Sequence, residues 1–218
     1  MSETSQKVAY DKEGNAHELV DFANDYSGSK IGMWLFLFTE LMLFGGLFLT
    51  FMYYFYAFSD DFVSSSGGLN LLLGGINTFV LLVSTYFMGI AFLSIKKGHT
   101  HKARIYIALT IVLALIFLGI KYFEWMAEIH HGIYPNSEIL GTMSHGKELF
   151  FGLYFTMTGL HGLHIIIGIG LMIWTMMKIS NKSINKENYV VLENIALYWD
   201  LVHLIWVFLF PIFYMIGA

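Results

Sequence analysis

The stretch LNLLLGGINTFVLLVSTYFMGIAFLSI, which runs from Leu69 to Ile95, contains no Asp, Glu, Lys, Arg or His. A helix rises about 1.5 Å per residue, and about 20 apolar residues are enough to cross the hydrocarbon core of a bilayer. A buried helix in a soluble domain is seldom both this long and this free of charge. The stretch therefore predicts a membrane-spanning helix.

Four further apolar stretches of similar length cover residues 31–58, 105–127, 149–177 and 195–217. The whole chain is 56% hydrophobic and 13% charged, whereas a soluble domain is roughly half apolar and a quarter charged. Strands of a membrane barrel alternate in polarity over about 10 residues, but these stretches are apolar throughout. We predict an all-α integral membrane bundle of five transmembrane helices over residues 31–218, preceded by a polar cytoplasmic tail over residues 1–30.

The orientation of the bundle follows from its cations. One side of the membrane receives the tail and the loops after the second and fourth spans, with ten of the twelve Lys and Arg residues: Lys7, Lys12, Lys30, Lys96, Lys97, Lys102, Arg104, Lys178, Lys182 and Lys186. The other side receives only Lys121 and Lys147. Because cations accumulate on the cytoplasmic side, we predict a cytoplasmic N-terminus and a C-terminus on the opposite, periplasmic side.

Composition also excludes several classes of function. The chain has no cysteine, so disulfides, thiolate catalysis and iron–sulfur ligation are excluded. Its net charge of −4 gives no basic surface for a nucleic acid. The loop from Glu128 to Glu148 contains His130, His131 and His145. These histidines could bind a metal, but we interpret the loop as a solvated extramembrane cap or partner surface.

A single carboxylate, Glu40, lies near the middle of the first predicted span. A charged side chain at this depth is costly unless it is neutral or paired, so intramembrane ionisable residues often mark functional sites. Two interpretations remain open. Glu40 exchanges protons, or it is a protonated side chain that makes one hydrogen bond to a neighbouring helix.

Two histidine-containing motifs follow in the fourth and fifth spans. His161 and His164 are three residues apart on one helix face, which favours hydrogen bonding to Glu40 or a neighbour, and two ligands are too few for a closed metal site. Asp200 and His203 are also three apart, and this spacing allows them to pair along the helix. We expect no metal, no redox centre and no catalytic residue in this chain.

Lys121 and Glu124 form a similar pair at the end of the third span, beside Trp125. A lysine near a helix end snorkels toward the interface, and aromatic residues anchor there. We therefore interpret Lys121 and Glu124 as an interfacial or structural pair.

The motifs of the five spans resemble, in order, those of subunit III of the haem-copper oxidases, especially the short five-helix bacterial form of cytochrome c oxidase subunit 3. The matching pieces are Phe38-Thr39-Glu40, Phe44-Gly45-Gly46-Leu47-Phe48, Asn77-Thr78, Ser84-Thr85, Glu124-Trp125, Gly159-Leu160-His161-Gly162-Leu163-His164, Ile167-Gly168, Tyr198-Trp199, Trp206, Phe208, Leu209 and Tyr214. Each piece is weak alone, but the combination is specific.

The resemblance implies an accessory subunit of a respiratory, oxygen-reducing and proton-pumping complex in a bacterial inner membrane. Such a subunit holds no haem or copper, which belong to its partners. It contacts subunit I directly, assembles with subunit II and other respiratory subunits, binds phospholipid and sustains proton uptake. Glu40 matches the carbodiimide-sensitive carboxylate of the family, and the other candidates for proton or lipid coupling are His161, His164, Asp200 and His203.

Two departures from the family pattern are visible. Longer members have two additional N-terminal helices, which help to form the lipid cleft. The last span usually carries His before Asp, whereas this chain has Asp200 before His203. The alternatives are the homologous subunit of a quinol oxidase or of a nitric-oxide-reductase-associated complex, and, from a different class, a proton-coupled membrane carrier.

Overall fold

The computed structural model of the protein describes residues 8–10, 16–18, 26–135 and 137–217. Most of the polar tail predicted from the sequence lies outside these residues. The described elements, in chain order, are β1 (Val8–Tyr10), β2 (Ala16–Glu18), α1 (Tyr26–Ala57), α2 (Ser59–Ser66), α3 (Leu71–Lys96), α4 (Thr100–His130), α5 (Glu138–Thr142), α6 (His145–Ser180) and α7 (Val190–Tyr214). The strands β1 and β2 form an antiparallel pair in which Val8 is opposite Glu18.

The five long helices, α1, α3, α4, α6 and α7, are long and apolar enough to cross a membrane. They coincide with the five predicted spans and confirm the all-α membrane bundle. Some helix ends extend beyond the apolar stretches: α1 begins at Tyr26, and α4 covers Thr100–His130.

The two short helices were not predicted from the sequence. In α2, Asp60 and Asp61 occupy the first turn, where acidic residues interact favourably with the helix dipole. In α5, the Ser137 hydroxyl accepts a hydrogen bond from the backbone N–H of Leu140 at 3.1 Å. Both helices lie in connections between spans, at the end of the bundle where α6 begins.

Helix α7 packs against α1, α3 and α6, and α4 packs against α3 and α6. Aromatic residues fill the interior near one end, where Phe51, Phe62, Phe150 and Phe213 contact one another at centroid distances of 5.2 to 6.5 Å. Many outward-facing residues are also apolar, for example Leu72 and Phe79. An apolar exterior and interior together are expected of a protein whose solvent is lipid.

Two glycines allow helices to approach closely. A Cβ atom at Gly168 on α6 would lie 2.7 Å from Cζ3 of Trp199 on α7. A Cβ atom at Gly74 on α3 would lie 2.9 Å from ring carbons of Phe210 and Tyr214. These small residues let α7, which carries large aromatic side chains, pack between α3 and α6.

Candidate functional site in the membrane bundle

The first candidate site joins α1 to α6. Oε2 of Glu40 lies 2.8 Å from Nε2 of His164, and Nδ1 of the same ring lies 2.8 Å from the carbonyl oxygen of Leu160. A carbonyl only accepts, so Nδ1 carries a hydrogen. The proton between Nε2 and Oε2 can therefore reside on either partner.

The surroundings of this pair are aromatic and largely dry. The side chains of His164 and Glu40 are only 11% and 15% exposed. The ring of Phe44 meets that of His164 edge-on at 5.4 Å, and Tyr198 donates a hydrogen bond to the His164 carbonyl at 2.9 Å. The bond from Glu40 to another helix fits both interpretations of this residue, because a proton-exchanging carboxyl also needs a partner.

His161 is more buried than His164 and is not hydrogen-bonded to Glu40. Its ring is 1% exposed, stacks on Trp206 at a centroid distance of 5.1 Å and meets Phe117 edge-on at 5.7 Å. Neither ring nitrogen of His161 has a hydrogen-bond partner among the described residues. The two histidines of α6 thus have different environments.

The expected pair between Asp200 and His203 is not formed. The carboxyl of Asp200 is on the exposed side of α7, whereas His203 is buried and its Nδ1 lies 2.7 Å from the carbonyl oxygen of Trp199. Residues three apart on a helix differ by about 60° in direction, and here that angle separates an outer surface from the interior.

Lys121 and Glu124 form the predicted structural pair, but the lysine does not snorkel to the interface. Both side chains are buried, 8% and 4% exposed, with Nζ of Lys121 3.3 Å from Oε1 of Glu124. Nζ also lies 3.0 Å from the Tyr154 hydroxyl on α6 and 2.9 Å from the Tyr214 hydroxyl on α7. The lysine turns inward because three oxygens within the bundle accept its three hydrogens.

The same four residues form a closed cluster around one carboxylate oxygen. Tyr154 donates to Oε1 of Glu124 at 2.5 Å, and Tyr214 donates to the same atom. We call Lys121, Glu124, Tyr154 and Tyr214 the lysine cluster. It links α4, α6 and α7 and carries no net charge when Lys121 and Glu124 are both ionised, which suits an apolar environment.

Neither tyrosine of this cluster was predicted from the sequence to pair with Lys121 or Glu124. Tyr154 precedes His161 by seven residues and therefore lies on the same face of α6. That spacing was available as a signal, but it does not identify a partner on α4. The contact of Tyr214 with Lys121 joins residues 93 apart in sequence and depends on how α7 packs.

The candidate residues do not fit a haem or a metal ion. Within the described ranges, no three His, Asp or Glu side chains come close enough to hold a metal ion. The His161 ring is covered by Trp206 and Phe117, and both nitrogens of His164 face protein oxygens. Both ring nitrogens of His164 are thus occupied, and His161 belongs to no group of three potential metal ligands within the described ranges.

The chain matches a known protein family. A model of the family described as cytochrome c oxidase subunit III matches residues 12–218 of the chain. The chain belongs to the subunit III family of the haem-copper oxidases. It is therefore a multi-pass bacterial membrane protein and a subunit of a respiratory oxidoreductase complex that includes other oxidase subunits.

Similar bacterial proteins carry a more specific description. The chain is 30% identical over 191 residues to a probable quinol oxidase subunit 3 of Staphylococcus haemolyticus, covering 87% of this chain and 89% of that protein. Proteins with the same description from Staphylococcus epidermidis and Staphylococcus aureus are 30% and 29% identical over the same shares. These relatives favour the quinol oxidase alternative over the cytochrome c interpretation, and family membership argues against a stand-alone carrier.

Proposed function

We propose that this chain is subunit III of a haem-copper oxidase that takes its electrons from quinol. The observation that carries the proposal is the shared description of its relatives, each aligned over nearly nine-tenths of both chains. Electrons, oxygen chemistry, haem and copper belong to the partner subunits. This chain supplies a membrane scaffold and proton-binding side chains.

Its closest link to proton chemistry is the pair of Glu40 and His164. The pair holds one proton between Oε2 and Nε2 over 2.8 Å, and its total charge is zero whichever atom carries that proton. An uncharged pair is tolerated in a bilayer, whereas a lone carboxylate is costly there. We propose that this pair supports proton uptake by subunit I.

The structure also offers a place for the proposed phospholipid. A groove of about 410 Å³ opens between α4 and α6 and is lined mainly by apolar side chains, including Leu118, Tyr122 and Leu163. Such a groove suits an acyl chain, since the lining offers few groups to bind a polar ligand. We propose that lipid bound to this subunit stabilises its contact with subunit I.

A cytochrome c oxidase is the second candidate, because the matching family model has that description. The residues of the bundle do not decide between the two donors, since donor binding belongs to other chains of the complex. The distinction therefore has to be made on the purified complex.

Affinity purification through a tag on this chain, followed by oxygen-consumption measurements with quinol and with reduced cytochrome c, tests the proposal. We expect a co-purifying haem protein that oxidises quinol and does not oxidise cytochrome c. Turnover with cytochrome c but not with quinol would show that cytochrome c is the electron donor. Recovery of the chain with no haem protein would contradict its role as an oxidase subunit.

A further inference from the structure

The interior of the bundle contains polar groups that neither the Glu40–His164 pair nor the lysine cluster uses. They lie around Trp206 on α7. Nε1 of Trp206 donates to the hydroxyl of Thr78 on α3 at 3.0 Å, and the ring of His161 on α6 stacks on the indole. Phe117 on α4 meets the same indole edge-on at 4.7 Å. Four helices thus converge on this tryptophan.

Two residues, His161 in this contact and Asn77 next to Thr78 in sequence, have polar side chains without protein partners. Asn77 precedes Thr78 on α3 and is 0% exposed, and neither atom of its amide group is hydrogen-bonded within the described part of the chain. Both ring nitrogens of His161, which is 1% exposed, are likewise unpartnered there. Buried polar atoms in native proteins are rarely left unpaired, because the desolvation penalty is then uncompensated.

The chemistry of these atoms defines what can bind them. The amide of Asn77 offers one acceptor oxygen and a donor nitrogen, and a neutral imidazole offers one donor and one acceptor. A suitable ligand must therefore both donate and accept hydrogen bonds. An acyl chain does neither, and a carboxylate only accepts.

We propose that internal water molecules bind Asn77 and His161 around Trp206. Water both donates and accepts, and it is small enough to enter a packed interior; buried water in proteins characteristically satisfies such groups.

This hydration extends beyond the proposed function and does not depend on the electron donor. His161 is about one helical turn from His164, so bound water places exchangeable protons about one turn nearer the N-terminal end of α6 than the Glu40–His164 pair. The lysine cluster adds a further buried acceptor, because Oε2 of Glu124 has no partner among the described residues.

Infrared spectroscopy of the intact oxidase complex in ordinary and heavy-oxygen water tests the proposal. The unmodified complex should show water bands that shift with the oxygen isotope. Asn77→Leu and His161→Phe should each lose some of these bands. His161→Gln, which retains a donor and an acceptor, should keep them. The matched control is Thr175→Val, because Thr175 is also buried but its hydroxyl already donates to the Leu171 carbonyl.

The thermal release of this subunit from the complex gives a second and independent measurement. If water satisfies the polar atoms, Asn77→Leu and His161→Phe should lower the midpoint of release, because they leave water without its partners. Retention of all isotope-sensitive bands in both variants would overturn the proposal. So would a raised midpoint in both, because it would show that the polar groups were unsatisfied.

Discussion

The ring of His164 connects Glu40 on α1 to the backbone of α6, with 2.8 Å from Nε2 to Oε2 of Glu40 and 2.8 Å from Nδ1 to the Leu160 carbonyl. The carbonyl fixes the tautomer, so only the proton between the two side chains is free to move. The pair is an imidazole with a carboxylic acid or an imidazolium with a carboxylate. Both forms are neutral overall, which makes the pair suited to hold a proton in a membrane.

The carboxyl of Glu40 should react with a hydrophobic carbodiimide faster than the exposed carboxyl of Asp60. The reagent concentrates in the bilayer, where it meets Glu40 on the span α1, and it attacks a carboxyl that carries a proton such as the one shared with His164. His164→Phe should increase the labelling, because it removes the base that competes for the proton. Peptide mass spectrometry of the labelled complex measures both effects, and equal labelling of Asp60 and Glu40 would contradict the assignment.

The lysine cluster should tolerate the loss of both charges better than the loss of one. Lys121→Met leaves Glu124 as an unpaired buried carboxylate, and breaking a buried pair in this way costs about 3–5 kcal/mol. The double variant Lys121→Met with Glu124→Leu removes both charges and should recover most of that loss.

The thermal midpoint of subunit release measures these variants, with Lys102→Met as an exposed control. A double variant as unstable as Lys121→Met would show that the tyrosine hydrogen bonds, and not charge balance, determine the stability of the cluster.

Two glycines on α6 should respond in opposite ways to alanine. Gly168→Ala places a methyl group 2.7 Å from the Trp199 ring, and overpacking of this kind costs about 1–3 kcal/mol. It should also weaken the 2.9 Å bond from Trp199 Nε1 to Ser84. Gly170→Ala meets nothing within 4 Å and should be neutral or slightly stabilising, since alanine favours helix by about 1 kcal/mol. Equal effects of both variants on the release midpoint would contradict close packing at Gly168.

The predicted orientation can be tested with single cysteines in this cysteine-free chain. Thr142 on α5 and Ser183 between α6 and α7 are both exposed and lie in connections at opposite ends of α6. In intact spheroplasts, an impermeant thiol reagent should label Thr142→Cys and leave Ser183→Cys unlabelled until the membrane is opened. The reverse pattern would invert the topology.

The sequence alone predicted the helical spans because hydrocarbon imposes a strong requirement: an uncharged stretch such as Leu69–Ile95 must pair all of its backbone groups within itself. It also brought Glu40 and His164 under consideration, since ionisable groups are rare in such stretches. The short helices α2 and α5 were missed because neither has an apolar period long enough to distinguish it from a loop.

Side-chain pairing was less predictable than the spans. The spacing of Asp200 and His203 suggested a pair, but helix α7 packs so that only His203 points into the bundle. The spacing of Lys121 and Glu124 also suggested a pair, and that contact exists, although inside the bundle. The Lys121–Glu124 pair lies inside the bundle because Tyr154 and Tyr214 on other helices bind it there. Local spacing does not predict such contacts between helices.

The most direct test of the account is the active lifetime of the purified oxidase during continuous quinol oxidation, measured for the intact complex, for a complex lacking this chain and for an assembled complex with Glu40→Ala. If the chain sustains proton uptake without contributing a redox centre, all three preparations should have the same haem content and initially consume oxygen. The complex without the chain and the Glu40→Ala complex should then lose activity faster or translocate fewer protons per electron. Equal lifetimes and equal proton yields in all three would contradict the proposed role of this subunit and of Glu40.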